Sequence, residues 1–373
     1  MKNKLLLLLI VSLFNMQSHG QEIDKAYLDE RLHEHYPSPE APGISIHISK
    51  GGIPIYSFQK GLAYIEKQEK ITRTTRFRMA SVSKQVTARA VYRLAEHNKL
   101  NLDQPLSMYF SHLPDSWQQV TPRHLLTHTS GIWDYEDLIP DGQQAQLTDK
   151  DVLRLSKLKD QLYFSPGTQF RYSNTGYCLL ALLVEKVAQK PFADFVQKQL
   201  FQPIGILDGL VYNPQSVIKN RAYGYHPTGD HFRFADQSLT SATQGDGGVY
   251  FSVEDYHRWA SARLFNDFDN ADFINSFQEN AIPVHDGIAY NLGLFLFRDN
   301  NRQLHLFHSG ESTGFNNIIY IVPHQELIIS IFTNRDDLSI ATAFEETVQH
   351  LKLPKVVPNH LFIWLNKVYA NNF

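Results

Sequence analysis

The sequence predicts an α+β fold, with one antiparallel sheet assembled from the two ends of the chain, flanked by helices, and a mainly helical lobe inserted between them. Three observations carry that reading. Alternating residues around a Gly-Gly turn mark two strands within residues 43–62. Helical periodicity then dominates from Ser81, and strands return across residues 290–333 before a last helix. The sheet lobe would comprise about residues 21–80 and 240–353, and the helical lobe about residues 81–239. A cleft between two such lobes is the natural place for a ligand.

Each element has its own signal. Residues 43–49 alternate apolar and polar, Lys50-Gly51-Gly52 makes a turn, and residues 53–62 form the partner strand. From Ser81 the period changes: Val82, Val86, Ala90, Leu94 and Ala95 share one face, so a helix runs to about His97. Residues 149–158, 174–188 and 191–200 read as helices separated by Gly, Pro and Asn. Gly245-Asp246-Gly247-Gly248 precedes another helix over residues 253–264. Strands are expected at residues 290–297, 303–307, 316–323 and 327–333, and a helix at about 339–351. Residues 354–373 form a tail whose Leu361-Phe362-Ile363-Trp364-Leu365 run reads as a packing segment, too short to cross a bilayer.

The first twenty residues carry a separate message. Lys2 and Lys4 precede an apolar run over residues 5–14, followed by Ser18-His19-Gly20, the pattern of a secretory signal peptide cut after Gly20. The alternative is an uncleaved anchor, but the run is short for a stable span. No membrane span is expected after cleavage. The net charge of −3 becomes more acidic once two lysines are removed, which argues against nucleic acid or an anionic membrane surface as the main partner. The partner expected instead is a small-molecule or peptide substrate. Cys178 is the sole cysteine and lies in an apolar run, so it reads as a buried structural thiol, with no internal disulfide possible. Neither a metal nor a cofactor is called for.

Ser-x-x-Lys occurs four times, at Ser57/Lys60, Ser81/Lys84, Ser156/Lys159 and Ser216/Lys219. Nucleophilic chemistry needs the hydroxyl and the amine on one face, which i and i+3 on a helix provide. Ser57 and Lys60 fall in a strand, on opposite faces. Ser156 sits among Lys157, Lys159 and Asp160, which reads as a solvated helix face, and Ser216 lies in a polar turn region. Only Ser81 lies where an irregular approach feeds an amphipathic helix, a position that favours developing negative charge, although a simple helix cap has the same signature. Tyr172-Ser173-Asn174 opens the helix that contains Cys178. A phenol serves as a base only if its pKa is lowered, which a neighbouring ammonium such as Lys84 would do, and Asn174 can orient an amide or cap its helix. Tyr369-Ala370-Asn371 repeats the pattern in the last residues, where disorder is the default. His308-Ser309-Gly310 ends a strand whose edge could offer backbone N–H groups to a carbonyl, glycine permitting close approach.

Ser81-x-x-Lys84, Tyr172-x-Asn174 and His308-x-Gly310, in that order, resemble the class C β-lactamase, DD-peptidase and esterase family of serine hydrolases. Residues 124–131, Pro166-Gly167 and Gly247-Gly248 leading into Ser252-Val253-Glu254-Asp255 look similar as well, and the likeness covers roughly residues 43–350. It implies the β-lactamase/transpeptidase-like fold and a mechanism. Ser81 would attack a carbonyl, Tyr172 and Lys84 would share the proton transfer, and the N–H groups of Ser81 and Glu311 would form the oxyanion hole. Asn174, His308, Ser309, Gly310 and Glu311 would bind substrate. Which of Tyr172 and Lys84 holds the proton stays open, since such a pair titrates as a unit.

The third motif departs from the Lys-Thr-Gly of β-lactamases. A lysine there can hold a β-lactam carboxylate, whereas histidine is mostly neutral, so peptides of D-amino acids or carboxylic esters are expected ahead of β-lactams. The alternatives are a class C-like β-lactamase and a non-catalytic penicillin-binding sensor. Gly310-Glu311-Ser312-Thr313-Gly314 also matches a nucleophile elbow, but that motif needs a following helix and a strand follows here. His124 and His128 share helical spacing, yet the Glu of a zinc motif is missing, so a cleft-wall or core role is favoured.

Overall fold

The computed structural model describes residues 23–262, 277–357 and 360–373. The expected signal peptide, residues 1–20, lies outside the described residues. The main sheet has eight strands, labelled here in chain order: β1 (Ile44–Lys50), β2 (Ile53–Lys60), β3 (Ile282–His285), β4 (Ile288–Asn291), β5 (Leu294–Arg298), β6 (Leu304–Ser312), β7 (Phe315–Val322) and β8 (Leu327–Thr333). Their spatial order is β3-β4-β5-β6-β7-β8-β1-β2, antiparallel throughout. The two ends of the chain meet where β1 pairs with β8, Ile46 opposite Ile331 and Ile48 opposite Ile329. This is the β-lactamase/transpeptidase-like fold.

The central strands are buried on both faces, and period two divides their side chains between two cores. On β7, Ile318, Tyr320 and Val322 join a core with Leu28 and Leu32 of the helix Lys25–His35, Phe344 of the helix Ser339–His350, and Trp364 of the helix Leu361–Tyr369. Ile319 and Ile321 face the other way, into the larger core that holds Trp259 and the helical middle of the chain. The centre of that middle is the helix Asn174–Ala188, buried continuously from Thr175 to Val184. A helix apolar on every side is one surrounded by protein. Among the described residues no helix is long and apolar enough to cross a membrane.

Most expected elements fall within a residue or two of their predicted limits; the helix expected at 253–264 is seen over Val253–Ala260, residues 263–264 lying outside the described residues, and four other differences are instructive. The single strand expected at residues 290–297 is a hairpin, β4 and β5, because Leu292 and Gly293 both take positive φ. The strand expected at 303–307 runs on to Ser312, so His308-Ser309-Gly310 lies within a strand and not at its end. Ser156 ends the helix Asp149–Ser156 fully buried, not on a solvated face. The tail is also more than packing, since its last residues are ordered against the centre of the molecule.

Candidate active site

The approach to Ser81 is an irregular turn. Ala80 takes φ +47°, the left-handed region, and residues Ala80–Ser83 form one 3₁₀ turn before the α-helix Lys84–Glu96 begins. Ser81 and Lys84 therefore share one side of this start. Lys84 Nζ lies 2.9 Å from Ser81 Oγ and donates to Asn174 Oδ1 at 2.8 Å and to the Asp246 carbonyl at 3.0 Å. The lysine is fully buried, and loss of water lowers its pKa, opposed mainly by the Asp246 carboxylate and further by Cys178, Asp134 and Glu136.

Loop 245–249 is latched to this helix start. Thr87 Oγ1 donates to the Gly245 carbonyl at 2.6 Å, and the Val249 N–H donates to Ser83 Oγ at 3.0 Å. Beneath it, Asp149 accepts from the N–H groups of Gln244 and Gly245, which turns the Asp246 carbonyl toward Lys84. Burial and the nearby Asp246 carboxylate push Asp149 up to about 7. Cys178 is buried beside both carboxylates, as its apolar run implied.

Tyr172 stands two residues before the helix Asn174–Ala188 begins, with Ser173 between them. Asp134 accepts from the first N–H groups of that helix, Asn174 at 2.6 Å and Thr175 at 3.4 Å, doing the work of an N-cap from a distant loop. The Asn174 amide nitrogen donates to Glu136 at 3.0 Å. Glu136 is exposed at its tip, yet the protein crowded around its carboxyl, with the Asp134 and Asp246 carboxylates, pushes it up to about 7. The Tyr172 ring centroid lies 5.0 Å from Lys84 Nζ and 4.3 Å from the ring of His128, which packs beneath it. The expected lowering of the Tyr172 pKa is not found: burial, with Tyr369 close by, drives it up, and a hydrogen bond from Ser81 would only partly offset this. The raised pKa keeps it a neutral phenol, and apart from Ser81 its buried hydroxyl has no hydrogen-bond partner among the described residues, which leaves it free to serve a ligand.

On the opposite wall, β6 pairs with β5 only as far as Phe307, while its pairing with β7 continues to Ser312. From His308 onward its other edge faces the Ser81 turn. Gly310 makes this possible: a Cβ there would fall 2.1 Å from the Met79 carbonyl oxygen and 3.2 Å from the Val82 nitrogen. Asn317 on β7 donates to the Arg78 carbonyl at 2.8 Å and pins the same approach. His308 is fully buried, and loss of water together with Lys84 lowers its pKa to about 3, so it is neutral. Ser309 Oγ is hydrogen-bonded to the Tyr369 hydroxyl at 2.7 Å. Glu311 borders the same end; its side chain is exposed, yet the protein crowded around the carboxyl raises it to about 7.

The structure thus brings together every residue singled out from the sequence: Ser81, Lys84, Tyr172, Asn174, His308, Ser309, Gly310 and Glu311. Asp246 and Glu136 were missed, and Tyr369 was set aside as part of a chain end. Asp246 stood in a visible glycine run, but the group that holds Lys84 is its backbone carbonyl, which residue type does not announce. The competing motifs separate cleanly. Ser57 and Lys60 lie in β2, and Ser312 sits at the end of β6 before another strand.

A nucleophile-type serine, a buried amine and a phenol on this fold define a serine β-lactamase-fold hydrolase by class. The chain belongs to the Beta-lactamase family, whose family model matches residues 26–348. It is similar to penicillin-binding protein 4* of Bacillus subtilis, 27% identical over 320 residues that cover 81% of this chain and 70% of the relative. It is also similar to protein flp of Staphylococcus aureus, 25% identical across 84% of this chain and 63% of that protein. Among solved structures, a penicillin-binding protein from Bacillus halodurans superposes with a TM-score of 0.75 at 27% identity, covering 85% of this chain and 98% of that one. A D-amino acid amidase from Ochrobactrum anthropi shares the fold at a TM-score of 0.72, with 22% identity across 88% and 97% of the two chains.

Proposed function

We propose that this protein is an exported hydrolase acting through an acyl-enzyme on Ser81, on peptides of D-amino acids or on carboxylic esters. Three contacts around Lys84 Nζ carry this reading. Asn174 Oδ1 and the Asp246 carbonyl can only accept, so they take two N–H bonds of the amine. Burial favours the neutral amine, and its lone pair is then left facing the Ser81 hydroxyl 2.9 Å away. On this reading Lys84 is the base that takes the Ser81 proton, and Tyr172 is a proton donor.

Ser81 Oγ attacks the carbonyl carbon as its proton passes to Lys84. Negative charge collects on the carbonyl oxygen, where the backbone N–H groups of Ser81 and Glu311 receive it. Collapse breaks the bond to the leaving nitrogen or oxygen, which takes a proton from Tyr172, and Lys84 returns one to the phenol. Water then attacks the acyl carbon, giving its proton back along the same path, and the acid leaves with Ser81 restored. Asn174 holds Lys84 and presents its amide beside the cleft, while Gly310 lets the β6 edge approach. Export rests on the pattern of residues 1–20.

The substrate assignment follows from charge. His308 stands where a β-lactam carboxylate would want a cation, and it is buried and neutral. A panel of D-amino acid peptides and amides, p-nitrophenyl esters and nitrocefin tests this. Turnover of the first two groups is expected, with nitrocefin slower by about a hundredfold. Efficient nitrocefin hydrolysis would overturn the substrate assignment, and a penicillin adduct that never decays, without turnover, would favour the sensor.

A further inference from the structure

The last thirteen residues close one end of this cleft. The helix Leu361–Tyr369 is seated by buried Leu361, Phe362, Trp364, Leu365 and Val368, and the Trp364 N–H donates to Asp286 at 3.0 Å. From this anchored helix, Tyr369 reaches the site. Its ring centroid lies 4.7 Å from that of Tyr172, and it lies nearly parallel to His308 at 6.2 Å. Its hydroxyl takes up the Ser309 hydroxyl at 2.7 Å. Asn371 donates to the Tyr172 carbonyl at 3.3 Å. The Asn366 amide, oriented with its nitrogen toward Glu311, donates to both carboxylate oxygens at 3.2 and 3.3 Å.

These contacts decide what this end of the cleft can accept. The Ser309 hydroxyl, which could have donated to a substrate carboxylate, is engaged by Tyr369. Glu311 forms no ion pair among the described residues and is an acid itself, so an incoming carboxylate would meet like charge. An amide or an ammonium group would instead find acceptors in Glu311 and the paired hydroxyls.

We propose that Tyr369 is a specificity-determining residue of this enzyme, which with Glu311 makes the Ser309 end of the cleft accept uncharged or cationic groups and reject carboxylates. The proposal rests on the acyl-enzyme reading above and narrows it: amides, amide-ended peptides and esters are the substrates, and carboxylate-ended peptides are poor ones.

The test compares N-acyl-D-Ala-D-Ala with its C-terminal amide at pH 8, where Glu311 is ionised. Wild type should favour the amide by about tenfold or more in kcat/KM, the usual scale of a like-charge penalty. Tyr369→Phe keeps the ring and frees the Ser309 hydroxyl, Tyr369→Ala opens the end of the cleft, and Glu311→Gln removes the charge. Each should narrow the ratio to within about threefold, chiefly through a lower KM for the free acid. General damage to the fold lowers both substrates together and leaves the ratio where it was. A wild-type ratio near one, or an unchanged ratio in both Tyr369 variants, overturns the proposal while fluorophosphonate labelling of Ser81 stands. Absence of that labelling in wild type overturns the acyl-enzyme reading and this proposal with it.

Discussion

Lys84 donates to Asn174 Oδ1 over 2.8 Å, and that bond ties the helix start carrying Ser81 to the helix start following Tyr172. The two residues stand 90 positions apart and come from different elements. Their contact sets the direction in which the amine points, because Asn174 is itself held by Asp134 through its backbone and by Glu136 through its amide. A loop at residues 134–136 therefore reaches the nucleophile through two intermediate side chains, Asn174 and Lys84.

Replacing Lys84 by Ala removes the base and strands the Asn174 and Asp246 acceptors. Acylation of Ser81 should fall by about a thousandfold, within the range general-base removal produces. Burst kinetics with a p-nitrophenyl ester would measure it. Acylation within tenfold of wild type would contradict the assignment of Lys84.

The pH dependence has a defined sign. Acylation needs the neutral amine, so its rate rises with pH through the Lys84 pKa, which burial holds below the ordinary lysine value. Glu136 raises that pKa, so Glu136→Gln should move the rising limb to lower pH. Asn174→Asp places a carboxylate against the amine and should move it to higher pH. A limb that stays fixed in both variants would show that another group controls it.

Tyr172→Phe should separate substrates by their leaving group. An amide nitrogen must be protonated to leave, whereas p-nitrophenolate need not be. Amide turnover is expected to drop by about a hundredfold or more, and ester acylation by a much smaller factor. Equal losses would mean that the phenol acts by position alone.

Gly310→Ala should be among the most damaging small substitutions. The added methyl would lie 2.1 Å from the Met79 carbonyl, so either β6 or the Ser81 turn must move. Destabilisation of about 1–3 kcal/mol is the usual cost of such overpacking. A thermal melt beside an acylation assay would show both losses. An unaltered melting point with full activity would contradict the close approach.

Much of this site was legible in the sequence because its residues carry both a chemical type and a local context. Ser81 was separable from three similar pairs by the helix that follows it, and the helix from Asn174 to Ala188 was set off by the Gly, Pro and Asn residues around it. What escaped was contact between distant segments. The hairpin break at Leu292-Gly293 depends on two positive φ angles, one at a leucine that gives no turn signal. Tyr369-Ala370-Asn371 looked like a frayed end, because nothing local states that the preceding apolar helix docks beside a strand 60 residues earlier. The lowered pKa expected for Tyr172 failed for the opposite reason. Its attraction to the ammonium was evident, but the depth of burial that outweighs it was not.

The most direct test is to label the purified protein with a fluorophosphonate and identify the modified peptide by mass spectrometry. The account predicts a single adduct on Ser81, lost in Ser81→Ala and retained in Ser312→Ala. An adduct on Ser312, or labelling that survives in Ser81→Ala, would contradict it.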